Sequence, residues 1–205
     1  MTPQYWKQAT RDLAARDAVL KKLIAKANGL ALGSRGDAFA TLARAIVGQQ
    51  ISVKAAQSVW GRLTAELVAL TPAAIVRADA AQLRGCGLSG QKVTYLQDLA
   101  ARFHSGAFDV ATWSQLDDEA LIDELTEVKG IGRWTAEMFL IFYMARPDVL
   151  PLDDIGLQRA IRLSYNHGKP LSRFKMRNIG NRWAPWRSVA TWYLWRSLDP
   201  IPVEY

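Results

Sequence analysis

An all-α fold is predicted by three features of this 205-residue chain. Apolar residues recur at helical spacing along most of its length, and no stretch alternates convincingly with the period of two that a strand requires. Capping residues stand directly before many of the apolar stripes and set their boundaries. Leu13, Val19, Leu20, Leu23 and Ile24 line one face of an N-terminal helix. Phe39, Leu42, Ala43, Ile46 and Val47 form a second stripe. Ser52 can cap a helix running to about Ala69. Thr71 followed by Pro72 opens another, with proline where its missing N–H is harmless. Ser89 caps the next, which Gly106 ends. Asp117 can cap a helix from about Glu119 to Leu125. Gly132 to Ala145 is apolar on nearly every face, which predicts a central buried helix terminated by Pro147. Helices at about 154–165, 171–183 and 185–197 bring the total to roughly ten.

Composition narrows the class. The chain is 50% hydrophobic and 22% charged, as expected of a globular protein with its own core. Cys86 is its one cysteine, which excludes a disulfide framework, a cysteine zinc site or an iron–sulfur cluster built from this chain alone. That fits a reducing compartment: cytoplasm and nucleoid in a bacterium, the nucleus in a eukaryote. The first residues lack the apolar core of a signal peptide. The longest apolar run, Met138 to Ala145, is far short of the roughly 20 residues of a membrane span.

The charge distribution points to a polyanionic partner. Net charge is +7 and the isoelectric point is near 9.7. From Ile155 to Leu198 the chain carries Arg159, Arg162, Lys169, Arg173, Lys175, Arg177, Arg182, Arg187 and Arg196, and no Asp or Glu. Solvated helices generally mix signs, so a phosphate-facing surface is favoured over a merely basic one.

The most informative segment is Leu125–Phe139, LTEVKGIGRWTAEMF. One helix ends near Leu125, Lys129-Gly130-Ile131-Gly132 makes a tight hairpin, and a second helix begins at once. Two glycines two apart allow a sharp turn and the close approach of a ligand. Amides at the start of the second helix, around Gly130, Gly132 and Arg133, can hold a phosphate with the help of the helix dipole. Lys129 and Arg133 add charge beside them. Taken alone, the segment also reads as a plain αα-hairpin with a glycine turn.

This hairpin resembles the helix-hairpin-helix of the HhH-GPD DNA glycosylases. Three other segments resemble that family in the same order along about residues 36–197. AIVGQQISVKAA at 45–56 resembles the loop that carries a DNA-wedging residue. LRGCGLSGQKVTYL at 83–96 resembles a second DNA-contacting turn. APWRSVATWYLW at 184–195 resembles the C-terminal helix of the alkylation-repair branch, that of DNA-3-methyladenine glycosylase II. The compact, yeast-type form of that branch lacks an N-terminal β-rich domain. The segment Pro151-Leu152-Asp153-Asp154-Ile155-Gly156 stands where the family carries its aspartate.

The resemblance implies two helical lobes with a cleft between them. One is 36–147, with the helix-hairpin-helix at about 116–145. The other is 1–35 with 148–205, bearing the aspartate and the basic C-terminal helices. It implies a monomer that binds double-stranded DNA containing damaged bases, flips an alkylated purine of the 3-methyladenine or 7-methylguanine type, and hydrolyses its N-glycosidic bond. Asp154 matches the catalytic aspartate, whose charge stabilises the oxocarbenium-like sugar. Without the resemblance, Asp153 and Asp154 are equally well read as caps of the helix that follows. Strand-cleaving members carry a lysine after the Gly-Arg pair to form a Schiff base. Trp134 stands there instead, so simple hydrolysis is expected. Trp134 and Trp195 match aromatic pocket positions, where electron-rich rings attract a cationic purine. Met138 matches a further pocket position and Ile155 follows the aspartate, and at both the best-known relatives differ.

The DNA contacts implied are Gln50 or Ile51 as wedge, Ser89, Gly90 and Lys92 in the second turn, Lys129, Gly130, Gly132, Arg133 and Thr135 at the hairpin, and Arg187. No catalytic cofactor is expected. A structural Na+ or K+ would sit on backbone carbonyls of Thr126, Val128 and Ile131. Two rivals stay open: the same fold acting on oxidised or deaminated bases, or a non-catalytic damage-sensing module that uses the hairpin only for phosphate.

Overall fold

A computed structural model describes residues 2–33 and 36–198 of the chain. These form twelve helices and no strand: α1 Trp6–Arg16, α2 Ala18–Lys26, α3 Ala38–Gly48, α4 Val53–Glu66, α5 Pro72–Arg77, α6 Ala80–Gly85, α7 Gly90–Ser105, α8 Asp118–Thr126, α9 Arg133–Phe142, α10 Ile155–Asn166, α11 Arg173–Asn181 and α12 Arg187–Leu198. None of the described helices is long and apolar enough to cross a membrane.

The predicted caps recur as hydrogen bonds. Side chains of Ser52, Thr71, Ser89 and Asp117 accept from the amides of Ala55, Ala74, Lys92 and Ala120, fixing the starts of α4, α5, α7 and α8. Gly106 ends α7 in the left-handed conformation, at φ 76°. One expected single helix is a pair. The N-terminal stripe breaks at Asp17, whose carboxylate accepts from Val19 and Leu20 to start α2. Asp79 does the same for Gln82, so α6 begins separately from α5. The central helix is shorter than expected: α9 stops at Phe142, well before Pro147. Ala145 takes φ 52°, and the Arg146 amide returns to the Leu140 carbonyl, which closes the helix end without proline.

The chain divides into two compact units: 36–139, and 1–35 with 140–204. The boundary falls inside α9. In the first unit α7 packs on α3, α5 and α6. Its core holds an aromatic cluster in which Phe103 meets Phe39, Phe108 and Trp113 edge-on, and Trp113 meets Phe139. The Trp113 indole finds an acceptor on Glu124 at 2.9 Å, so a fully buried ring leaves no orphaned donor. In the second unit α12 packs on α1, α2 and α10. Trp6 donates to the Tyr193 hydroxyl, which donates to the Leu30 carbonyl.

Candidate active site and nucleic-acid interface

The carboxylate site belongs to the second unit. Asp154 is the residue before α10, and its Oδ1 accepts from the Leu157 amide and, at 2.7 Å, from the Trp195 indole N–H. The first bond is ordinary helix capping. The second comes from α12 and holds the carboxylate in one orientation, because a fused ring with one N–H has little freedom once stacked. Trp195 is so stacked, on Phe142 with ring centroids 5.7 Å apart and planes 12° from parallel. Gly156 keeps this corner open: a Cβ there would stand 3.1 Å from Asp154 Oδ1 and 3.4 Å from the Trp195 ring. Ile155 beside it is 77% exposed. Asp153 has other surroundings. It lies at the surface in an ion pair with Arg173, whose guanidinium also reaches the Leu152 carbonyl.

The hairpin belongs to the first unit, and its two glycines differ. Gly130 has φ 83°, and a Cβ there would collide with the Tyr95 ring. Glycine alone avoids both the strain and the collision. Gly132 has no positive φ, and a Cβ there would meet nothing within 4 Å. Nothing inside the fold demands it; its bareness leaves the start of α9 uncovered. The Gly132 carbonyl accepts from Ala136, so the amides of Arg133, Trp134 and Thr135 precede the first hydrogen bond of the helix and point out of its end. Thr135 and Met138 are buried, while Trp134 on the first turn is 38% exposed.

Charged candidates at the turns are engaged more than their sequence suggests. The Arg133 guanidinium spans three carboxylate contacts, two to Glu119 and one to Glu137 at 3.1 Å. Glu119 is accordingly held below the usual carboxylate range by the Arg133 hydrogen bonds. Arg133 thus ties the start of α8 to the start of α9. Lys129 is exposed, but its amide donates to Asp98. Ser89 caps α7 by accepting from the Lys92 amide, with Gly90 exposed beside it. The Lys92 ammonium donates to the Val47 carbonyl at 2.7 Å, and burial pulls its pKa down. In the second unit Arg187 is held by Asp148 through Nε, Nη2 and its own amide.

The loop that resembles the family's wedge loop follows α3. Gln50 is exposed with φ 58°, and Ile51 is 40% exposed. Gln49, absent from the sequence-based candidates, donates to the Gly130 carbonyl at 2.7 Å. Tyr95, Asp98, Glu119, Phe142 and Asp148 were likewise beyond sequence reasoning, since each acts on a candidate distant along the chain. For a hairpin cation the donor set is backbone oxygen alone, which suits a hard monovalent ion. The Val128 carbonyl already accepts from the Ile131 amide and has a second lone pair left. Among the described residues no cluster of His, Cys, Asp and Glu could hold a metal ion.

Comparison with known proteins decides the family. Residues 43–185 match the model of the HhH-GPD superfamily base excision DNA repair proteins. The chain belongs to that superfamily. It is 35% identical over 160 residues to DNA-3-methyladenine glycosylase 1 of Schizosaccharomyces pombe, covering 76% of this HhH-GPD chain and 70% of the relative. A crystal structure of a DNA-3-methyladenine glycosidase from Bacillus halodurans superposes with a TM-score of 0.86 at 33% identity, over 93% of this chain and 89% of that one. The Schizosaccharomyces pombe enzyme Mag1 in complex with abasic DNA gives 0.77 at 31%, over 96% of this chain and the whole of that one. This HhH-GPD protein therefore has the all-helical fold of those enzymes.

Proposed function

We propose that this protein is a base-excision-repair DNA glycosylase that removes alkylated purines of the 3-methyladenine and 7-methylguanine type by hydrolysis. The observation that carries the reading is the Asp154 carboxylate, fixed by Leu157 and by the stacked Trp195 indole, in a chain whose relatives bear the name 3-methyladenine glycosylase. The C1′–N bond breaks and its electron pair leaves with the base. An N3- or N7-methylated purine is already cationic, so it departs neutral. The sugar becomes an oxocarbenium-like cation, which the Asp154 charge stabilises. Water adds at C1′ and loses a proton, leaving an abasic site. Trp195, backed by Phe142, offers an electron-rich face to a cationic base. Trp134 supplies no amine, so no Schiff base forms at that position and the strand stays intact. The first-turn amides of α9 hold phosphate, and carbonyls of Thr126, Val128 and Ile131 would hold a Na+ or K+ ion that adds positive charge there. The protein works where DNA is, in the nucleoid or nucleus.

The test is release of bases from duplexes carrying 3-methyladenine, 7-methylguanine, 1,N6-ethenoadenine, hypoxanthine or 8-oxoguanine, with borohydride present in parallel. Methylated purines are expected to be released, with no covalent protein–DNA adduct trapped. Release of 8-oxoguanine alone, or efficient trapping, would overturn the reading.

A further inference from the structure

We infer that Gln49 is a positioning residue that couples the wedge loop to the phosphate-binding hairpin, with α7 as the frame that holds both. The inference rests on the proposed glycosylase function and deepens it. The Gln49 side-chain amide donates to the carbonyl of Gly130, the one hairpin residue with a positive φ and with an aromatic ring where a Cβ would stand. A carbonyl at a left-handed glycine cannot move without turning the adjoining peptide, so its hydrogen bond reports on the turn itself. On the other side of Gln49, Gln50 stands at φ 58°. The loop that presents Gln50 and Ile51 thus leaves α3 through a residue anchored on the hairpin.

The frame lies along one stripe of α7. The Lys92 ammonium holds the Val47 carbonyl at the end of α3, the Tyr95 ring packs against Gly130, and Asp98 accepts from the Lys129 amide. One turn further, Arg102 contacts both Asp98 and Glu127, including the Glu127 carbonyl. These positions, three to four residues apart, share a helix face. Wedge loop and hairpin are therefore held by a single rigid element and joined by one direct bond. Gripping the backbone at the hairpin and inserting a side chain into the vacated stack become one event.

The consequence is specific to base extrusion. A lesion that is already unpaired costs less to extrude and depends less on a wedge. The experiment compares single-turnover release of 7-methylguanine opposite cytosine with release opposite an abasic analogue, in wild type, Gln49→Met and Lys92→Met. Methionine matches glutamine in length, stops one atom short of lysine, and removes the donor of either. Expected is a loss of at least about tenfold for Gln49→Met on the paired substrate and less than about threefold on the unpaired one, with affinity for undamaged duplex unchanged. Lys92→Met is expected to show the same asymmetry. An equal loss on both substrates, or none on either, overturns the coupling. A wild-type protein that releases base from neither substrate overturns the glycosylase reading and the coupling with it.

Discussion

Asp153 and Asp154 are neighbours in the chain with different surroundings. Asp153 pairs with Arg173 at the surface, where such a pair contributes little. Asp154 receives a capping amide and an indole N–H on one oxygen. Asparagine preserves that acceptor and removes the charge. Asp154→Asn is therefore expected to lower single-turnover excision by over a hundredfold, equivalent to about 3 kcal/mol, with folding and duplex binding retained. Asp153→Asn should stay within a few-fold of wild type. Near-normal excision by the Asp154 variant would reduce that residue to a helix cap. Trp195→Phe separates two contributions of one side chain. It keeps a ring for Phe142 and loses the N–H that orients Asp154, so excision of every substrate should fall about tenfold, the order expected for one charge-assisted hydrogen bond. Unchanged rates would leave Trp195 with stacking alone.

At the scale of elements, the hairpin is held from both ends. Gly130 turns the chain against Tyr95, and Arg133 clamps α8 to α9 through Glu119 and Glu137. Gly130→Ala must accept both a left-handed backbone and a collision with an aromatic ring. Chemical denaturation should register a loss of about 2–4 kcal/mol. Adding Tyr95→Ala should return part of it, because the collision goes and the backbone strain stays; no recovery would mean that the ring is not what excludes a side chain. Much of this architecture was legible beforehand. Ser52, Thr71, Ser89 and Asp117 announce helix starts because capping is local chemistry, and the Gly-x-Gly turn announces itself by composition. Asp17 was missed although it is a cap of the same kind, because the apolar stripe ran on past it and periodicity outweighed the break. The Gln49 bond was not legible at all. It joins residues 81 apart, and no local pattern requires it.

Across the whole molecule, the carboxylate-free stretch from Ile155 to Leu198 is less uniformly available than its composition implies. Three of its arginines find acids elsewhere in the chain: Arg173 meets Asp153, Arg182 meets Asp17, and Arg187 meets Asp148. Each acid precedes its arginine by 20 to 165 residues and lies outside the stretch, which is why counting charges within a window overlooks them. Lys169, Lys175 and Arg177 are exposed. Duplex affinity should still fall steeply with salt, with a log–log slope beyond about −2, since each phosphate neutralised contributes about −0.9. The individual residues then divide. Lys175→Gln or Arg177→Gln should flatten the slope by up to about one unit without altering stability. Arg187→Gln should do the reverse: it breaks a three-point contact with Asp148 and should lower stability by about 1–2 kcal/mol, while the slope stays near that of wild type. Titrations of undamaged duplex at several salt concentrations, paired with thermal melts, measure both quantities. A slope that flattens for Arg187→Gln with an unchanged melt would mean that the guanidinium leaves Asp148 for phosphate on binding, and that this ion pair belongs to the unbound protein alone.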